Sequence, residues 1–292
     1  MNAIVQTAVT TAPAKRAPNR AWRKFKANKG ALVGISIILF FTLAAILAPI
    51  LPIPDPVATS WSAIRKAPSA AHWFGTDDIG RDVLSRMIWG ARASLMAGIF
   101  SVAIAVAIGV PLGLISGYYG GWIDQIISRV TEAFLAMPFL ITAIALAAFL
   151  GPSLTNAMIA IGLSATPVFV RLTRGQVLAV KTEDYVEGAR SIGLRHLRII
   201  TRYILPNVFA PILVQATLTI ATAIIAEASL SFLGIGQQAP APSWGSMLNV
   251  AKGYLETQPW MAMWPGAAIF LVVIGFNLLG DGLRDALDPR EA

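Results

Sequence analysis

The chain has 292 residues, 56% of them hydrophobic and 13% charged, with a mean hydropathy of +0.66. Soluble domains carry about a quarter charged residues, so this composition excludes an ordinary soluble protein and points to a bilayer. The lack of cysteine excludes disulfides, thiolate metal sites and cysteine nucleophiles; two histidines argue against a multi-histidine metal site. The net charge of +8 comes without the basic, aromatic-interleaved run of a nucleic-acid binder.

Residues 1–30 form a polar tail with seven basic side chains: Lys15, Arg16, Arg20, Arg23, Lys24, Lys26 and Lys29. The first eleven residues lack the basic-then-apolar pattern of a cleaved signal peptide. The tail is expected to be largely disordered, with a short membrane-surface helix over 22–29. Six apolar stretches follow, each near the roughly 20 residues that cross a bilayer. The first, 31–51, holds no charge and is closed by Pro49, Pro52, Pro54 and Pro56. An outer loop over 52–94 leads to the second, 95–115. The third, 130–150, carries Glu132 near its start and Pro138 inside. Gly151-Pro152-Ser153 is a tight turn, so a fourth span over 154–170 runs antiparallel to the third. The fifth and sixth are 208–233 and 261–279, separated by a loop at 234–260 rich in proline, glycine and tryptophan. The core of the protein is therefore 95–283, followed by a short tail at 284–292.

Orientation follows from the excess of Lys and Arg in cytoplasmic loops. An even number of spans puts both termini on one side. That side holds the seven basic tail residues, Arg129, Arg171, Arg174, Lys181, Arg190, Arg195, Arg198, Arg202, Arg284 and Arg290, which is 17 of 23. Arg65, Lys66, Arg81, Arg86, Arg92 and Lys252 fall on the other side. Both termini and the segment after the fourth span are expected to be cytoplasmic.

That segment, residues 182–206, is a charged island, TEDYVEGARSIGLRHLRIITRYILP. Thr182 is the expected N-cap, with Glu183 and Asp184 on the first turn. Tyr185, Ala189 and Ile192, at i, i+4 and i+7, read as one helix face. Gly193 reads as the stop, and Arg195, Arg198 and Arg202 as a basic helix that meets Pro206 at the next apolar run. Alone, such a stretch is a solvated basic loop. Between spans, on the cytoplasmic side, it reads as a dock for a soluble partner.

The island resembles the "EAA" loop of binding-protein-dependent ABC importers, whose pattern is EAA, three residues, Gly, nine residues, Ile, one residue, Leu-Pro. Glu187-Gly188-Ala189, Gly193 and Leu205-Pro206 fall in register. Gly188 stands where alanine is usual and Tyr203 where isoleucine is usual, with Ile204 one place later. A mid-helix glycine costs up to about 1 kcal/mol relative to alanine. The segments FGTDDIGRDVLSRMIWGARASL, GYYGGWIDQIISR, AEASLSFLGIG, PSWGSML and FNLLGDGLRDALDPR extend the resemblance over roughly 30–290. They are similar to the second, C-type permease subunit of the dipeptide/oligopeptide/nickel family.

The resemblance implies an all-α membrane protein with six transmembrane helices, the type I ABC importer (MetI-like) permease fold and both termini cytoplasmic. It implies a multi-pass protein of the bacterial inner membrane (or its archaeal equivalent). The partners implied are a homologous second permease subunit, two cytoplasmic ATPase subunits and an extracytoplasmic solute-binding protein. The cargo implied is a di- or oligopeptide, a nickel chelate or glutathione. ATP and Mg belong to the ATPase subunits, since this chain has no G-x-x-x-x-G-K-[ST] loop. No catalytic group, cofactor or metal is expected in the chain, and no ATP turnover by it alone.

Under the same resemblance, Tyr185, Glu187, Gly188, Ala189, Arg190, Gly193, Arg198, Leu205 and Pro206 are the ATPase-coupling candidates. Glu187 would meet basic or backbone donors in a cleft on the ATPase, and Arg190, Arg195 and Arg198 would contact the ATPase or anionic headgroups. Glu227 is the one carboxylate deep in the fifth span, where an acid costs about 2.5–3.5 kcal/mol on insertion scales. It must face protein or a wet cavity. With Ser231 and Trp244 it is a candidate for the translocation pathway or the permease interface; a structural hydrogen bond is the alternative. Trp244-Gly245 reads as a re-entrant segment, a binding-protein contact or an interfacial anchor. Asp77, Asp78, Arg81 and Asp82 read as caps and ion pairs, Asp78 sharing a helix face with Arg81 or Asp82, rather than as a cation loop. Asp281, Arg284 and Asp285 read as a helix-end ion-pair set. Two other function classes stay open: an ion-coupled secondary transporter working through Glu227, though no paired repeat is visible, and a scaffold that recruits a soluble partner through the island.

Overall fold

The computed structural model describes residues 19–287, which contain helices and turns but no strand. The disorder expected for the first part of the tail lies outside the described residues. Helix α1 (Asn19–Ala27) is followed directly by α2 (Lys29–Leu47), because Asn28 caps α2: its Oδ1 accepts from Ala31 N at 3.0 Å. The surface helix expected over 22–29 is thus shifted, with Lys29 belonging to α2. Phe25 is buried, whereas Trp22 is half exposed.

Helix α3 runs Val83–Tyr119, 37 residues or about 55 Å. It begins twelve residues before the end of the loop expected at 52–94, because Asp82 caps it, its Oδ1 accepting from Ser85 N at 2.8 Å. Pro54 O and Pro56 O, in the preceding loop, accept from Ser85 Oγ and from Arg86 Nη1, the latter at 2.9 Å. The first turns of this long helix pack on the loops that carry Pro54, Pro56 and Pro240 and on Trp244.

The expected third span is two helices, α4 (Gly121–Leu135) and α5 (Phe139–Leu150), bent by 93° at the break. Pro138 has no N–H to continue the ladder, and its ring disfavours α geometry before it. Gly151, at φ +90°, then turns the chain into α6 (Leu154–Val180), capped by Ser153, whose Oγ accepts from Asn156 N at 3.0 Å. Helix α6 continues ten residues past the expected end.

The close α3–α6 crossing explains that extension. Gly109, Gly113 and Gly117 stack along one face of α3, and a Cβ on Gly113 would sit 2.6 Å from Thr173 Cβ and 2.7 Å from Val170 O. Three bare backbones let α6 approach closely enough for Phe169, Thr173 and Val177 to be completely buried.

The island comprises α7 (Asp184–Ser191) and α8 (His196–Ile199). A widened π turn, Ile200–Ile204, joins α8 to α9 (Leu205–Phe232), giving one continuous helix from His196 to Phe232. Pro206 therefore lies inside that helix rather than at its entrance. In the π turn Leu205 N reaches back to Ile200 O, which relieves the clash a proline ring makes with the carbonyl four residues earlier. Asn207 Nδ2 donates to Tyr203 O at 2.6 Å. A short helix α10 (Trp244–Ala251) and a long α11 (Trp260–Leu287) complete the order. Helix α2 lies against α11, where a Cβ on Gly34 would meet Gly275 O at 2.6 Å. Among the described residues five helices are long and apolar enough to cross a membrane, six if the bent pair counts as one span.

Candidate functional site

At one end of the bundle the island closes over the ends of α3 and α6. Helix α6 runs on to Val180, and Thr182 Oγ1 donates to Ala179 O at 3.0 Å, so the hydroxyl serves the helix behind it. Glu183 takes the N-cap position of α7 in place of Thr182. The buried face is Val186 and Ala189; Tyr185 is 43% and Ile192 75% exposed. The expected Tyr185–Ala189–Ile192 face fails because α7 has only two turns, and Ile192 lies past its end.

Gly193 acts as expected, with φ +78°. Leu194 N donates to Ala189 O at 3.2 Å and Gly193 N to Arg190 O at 3.0 Å, the paired bonds of a Schellman stop. Arg195 is the N-cap of α8, and Arg198 and Arg202 project from exposed positions beyond it.

Lys181, the C-cap of α6, and two side chains of the island hold the end of α3. Lys181 Nζ donates to Gly117 O at 2.9 Å, Tyr118 OH and His196 Nδ1 share a hydrogen bond of 2.8 Å, and the Arg190 guanidinium lies 5.8 Å from the Tyr118 ring. Beside them Arg174 grips Asp124 through two bonds of 2.6 and 2.7 Å, and Ser116 and Ser128 also donate to Asp124. Tyr118, Lys181 and His196 were not singled out from sequence; the only signal was the aromatic pair in GYYGG. What remains outward is a mixed surface of Glu187, Gly188, Arg190, Ile192, Leu197 and Arg198, with Leu197 72% exposed.

The other sequence-predicted group converges at the opposite end. Glu227 is fully buried and accepts from Ser231 Oγ at 2.7 Å and Ser94 Oγ at 3.0 Å. Those hydroxyls accept in turn from Gln237 N at 2.9 Å and Trp244 N at 3.3 Å. Ser94 was missed because it lies far along the chain. Trp244 has no exposed surface; its Nε1 donates to Met87 O at 3.0 Å and its ring meets Phe41 edge-on at 5.5 Å. An interfacial anchor keeps one end wet, so that reading of Trp244 is corrected: it is the buried peg of α10. Gly245 is required beside it, since a Cβ there would lie 2.5 Å from Ala228 O.

Asp77 accepts from Arg81 Nε at 2.6 Å and lies 3.5 Å from Arg86 Nε, while Asp82 caps α3 and meets His72 Nδ1 at 2.9 Å. The Asp78–Arg81 contact of 3.4 Å spans a turn, with Gly80 at φ +83°, rather than a helix face. At the far end of α11, Asp285 accepts from Asn28 Nδ2 at 3.0 Å rather than from Arg284.

Comparison with known proteins adds to this geometry. The family model described as "binding-protein-dependent transport system inner membrane component" matches residues 109–292, and one described as "N-terminal TM domain of oligopeptide transport permease C" matches residues 19–68. A dipeptide transport system permease protein of Alkalihalophilus pseudofirmus is 50% identical over 270 residues, covering 92% of this chain and 89% of the relative. A glutathione transport system permease protein of Escherichia coli is 44% identical over 270 residues, with coverage of 92% and 89%. The inward-facing MetNI methionine ABC transporter is similar in fold, with a TM-score of 0.59 at 19% identity, over 70% of this chain and 98% of that one. An amino acid ABC transporter gives 0.53 at 18% identity, over 68% and 92%.

Proposed function

The chain belongs to the binding-protein-dependent transport system inner membrane components, the permease subunits of ABC importers, and from that membership we propose that it is one half of a peptide-importing channel. In this reading the bent α4–α5 pair is the third of six spans, and both termini and the island face the cytoplasm. A second, homologous permease completes the channel. Two ATPase subunits supply ATP hydrolysis, and an extracytoplasmic binding protein delivers the cargo.

The observation that carries this reading is the build of the island. Val186 and Ala189 are sunk into the bundle, while Glu187, Ile192 and Leu197 face outward. A merely solvated loop has no reason to keep Ile192 and Leu197 in water, since burying each against a partner would contribute about 1.5–3 kcal/mol. Lys181, Arg190 and His196 tie this surface to the end of α3, so a push on the island reaches the spans. Tyr185, Glu187, Gly188, Ala189, Arg190, Gly193, Arg198, Leu205 and Pro206 are the coupling residues of this proposal. The names of the two relatives favour a dipeptide or a glutathione-like tripeptide as cargo.

The experiment is reconstitution with the partner subunits. The chain alone is expected to show no ATP turnover. The full complex is expected to hydrolyse ATP and take up dipeptide, and Glu187→Lys to keep membrane insertion while losing ATPase assembly or uptake. Uptake that continues without the ATPases and collapses with the proton gradient would instead establish an ion-coupled carrier.

A further inference from the structure

Beside the break between α4 and α5, charged side chains of α4 and α6 meet at one cleft. Arg129 and Glu132, on α4, have side chains 84% and 63% exposed and pair with each other at 3.2 Å. Arg171, on α6, is exposed and has no ion-pair partner among the described residues. At 1.5 Å per residue, Arg171 stands about 26 Å from the Leu154 end of α6 and about 14 Å from its Val180 end. Arg171 thus begins the part of α6 that runs on beyond the expected fourth span.

Glu132 and Arg171 line a common cleft of about 370 Å³, walled also by Thr131, Leu135, Val170 and Arg174. Small-ligand sites begin at about 300 Å³. Arg174 is committed to Asp124 by two short bonds. Glu132 holds only an exposed ion pair, of the kind that exchanges partners readily. Arg171 offers a free guanidinium fork, which matches a carboxylate with two parallel hydrogen bonds. Opposite charges from two helices on one cleft, which Leu135, Ala136 and Val170 also line, complement a small molecule charged at both ends.

We propose that this cleft is a passage site for a zwitterionic peptide, Glu132 receiving its α-ammonium, Arg171 its α-carboxylate, and Leu135 and Val170 facing its side chains. The inference rests on the peptide-import reading and adds the substrate contact to it. Neither Glu132 nor Arg171 belongs to the island or to the Glu227 group, so the site can fail while coupling survives.

The test uses the full complex in proteoliposomes with dialanine as the probe. Initial uptake and ATP hydrolysis are measured on complexes matched for yield by gel filtration. Glu132→Gln and Arg171→Gln are each expected to lower dialanine uptake by about tenfold or more, the loss typical of a charge-assisted hydrogen bond, with ATP hydrolysis kept. Arg129→Gln is expected to leave uptake within about twofold, as removal of an exposed ion-pair partner does.

A second readout does not depend on those variants. The chain has no cysteine, so Ala136→Cys places a single thiol of this subunit on the cleft. A charged, membrane-impermeant thiol reagent is expected to modify it, and saturating dialanine to slow the reaction. Unchanged uptake in both Gln variants, or an Ala136→Cys thiol that stays unmodified, overturns the cleft. A wild-type complex that hydrolyses ATP yet imports neither dialanine nor glutathione overturns the peptide reading, and this inference with it.

Discussion

Replacing Glu227 by Gln and by Ala separates a structural tie from a transport role, and the hydrogen bonds around it set the scale. The carboxylate accepts from Ser94 and Ser231, and both hydroxyls are themselves acceptors for backbone N–H groups of Trp244 and Gln237. Their protons are therefore committed to Glu227. Glu227→Ala strands two buried hydroxyl donors, at about 1–3 kcal/mol each, and opens a cavity, for an expected loss of about 3–5 kcal/mol. Glu227→Gln keeps the volume and one acceptor and disturbs one bond, for about 1–2 kcal/mol. The assay is thermal unfolding of the detergent-solubilised permease pair, followed by gel filtration, with dipeptide uptake measured in parallel. Ala must lower the midpoint clearly more than Gln, and Gln must retain most of the uptake. Equal midpoints for wild type and Ala would refute the tie. A Gln variant that is stable yet silent in uptake would move Glu227 into the transport pathway.

Three further outcomes follow from the same geometry. Gly193→Leu is expected to cost about 1–2 kcal/mol, because a residue with a Cβ is strained at φ +78° while the space around it is open; less ATPase should co-purify with the permease, and Gly193→Asn should restore most of it. Gly188→Ala should raise the unfolding midpoint, since its Cβ meets nothing within 4 Å and alanine gains up to about 1 kcal/mol of helix propensity; lost ATPase binding in this variant would mean that the partner lies directly on Gly188. Asp124→Asn is expected to destabilise the assembled complex by about 1–3 kcal/mol, through the loss of the charged partner of Arg174. Reversing the pair as Asp124→Arg with Arg174→Asp should recover part of that loss in the same unfolding assay, and no recovery would assign Asp124 a different role.

The apolar spans, the Schellman stop at Gly193 and the all-helical class were legible in the amino-acid sequence. Each is a property of one residue or of a short window: transfer free energy accumulates locally, and glycine tolerates a left-handed backbone wherever it stands. The family was legible too, through motifs that lie in order along the chain. The registers of the island were not. Whether Thr182 or Glu183 caps α7 depends on where α6 stops, and that is decided by Gly113 and Gly117 letting Thr173 and Val177 bury against α3. Pro138 was visible within the third span, but whether a proline there kinks a helix or breaks it into two depends on what packs around it.

Residue choice alone made Glu227 conspicuous, because an acid among apolar neighbours must find a partner or water. The partner was beyond reach of any local pattern. Ser94 and Glu227 meet across α3 and α9, and Trp244 is a peg because α10 folds in beneath Phe41. In the same way Glu132 and Arg171 lie far apart along the chain and line one cleft once α4 packs on α6. Local chemistry thus determined which segments are apolar enough to cross a bilayer and which groups cannot remain unpaired. Only the close approach of distant backbones decided which groups satisfy one another and which stay exposed.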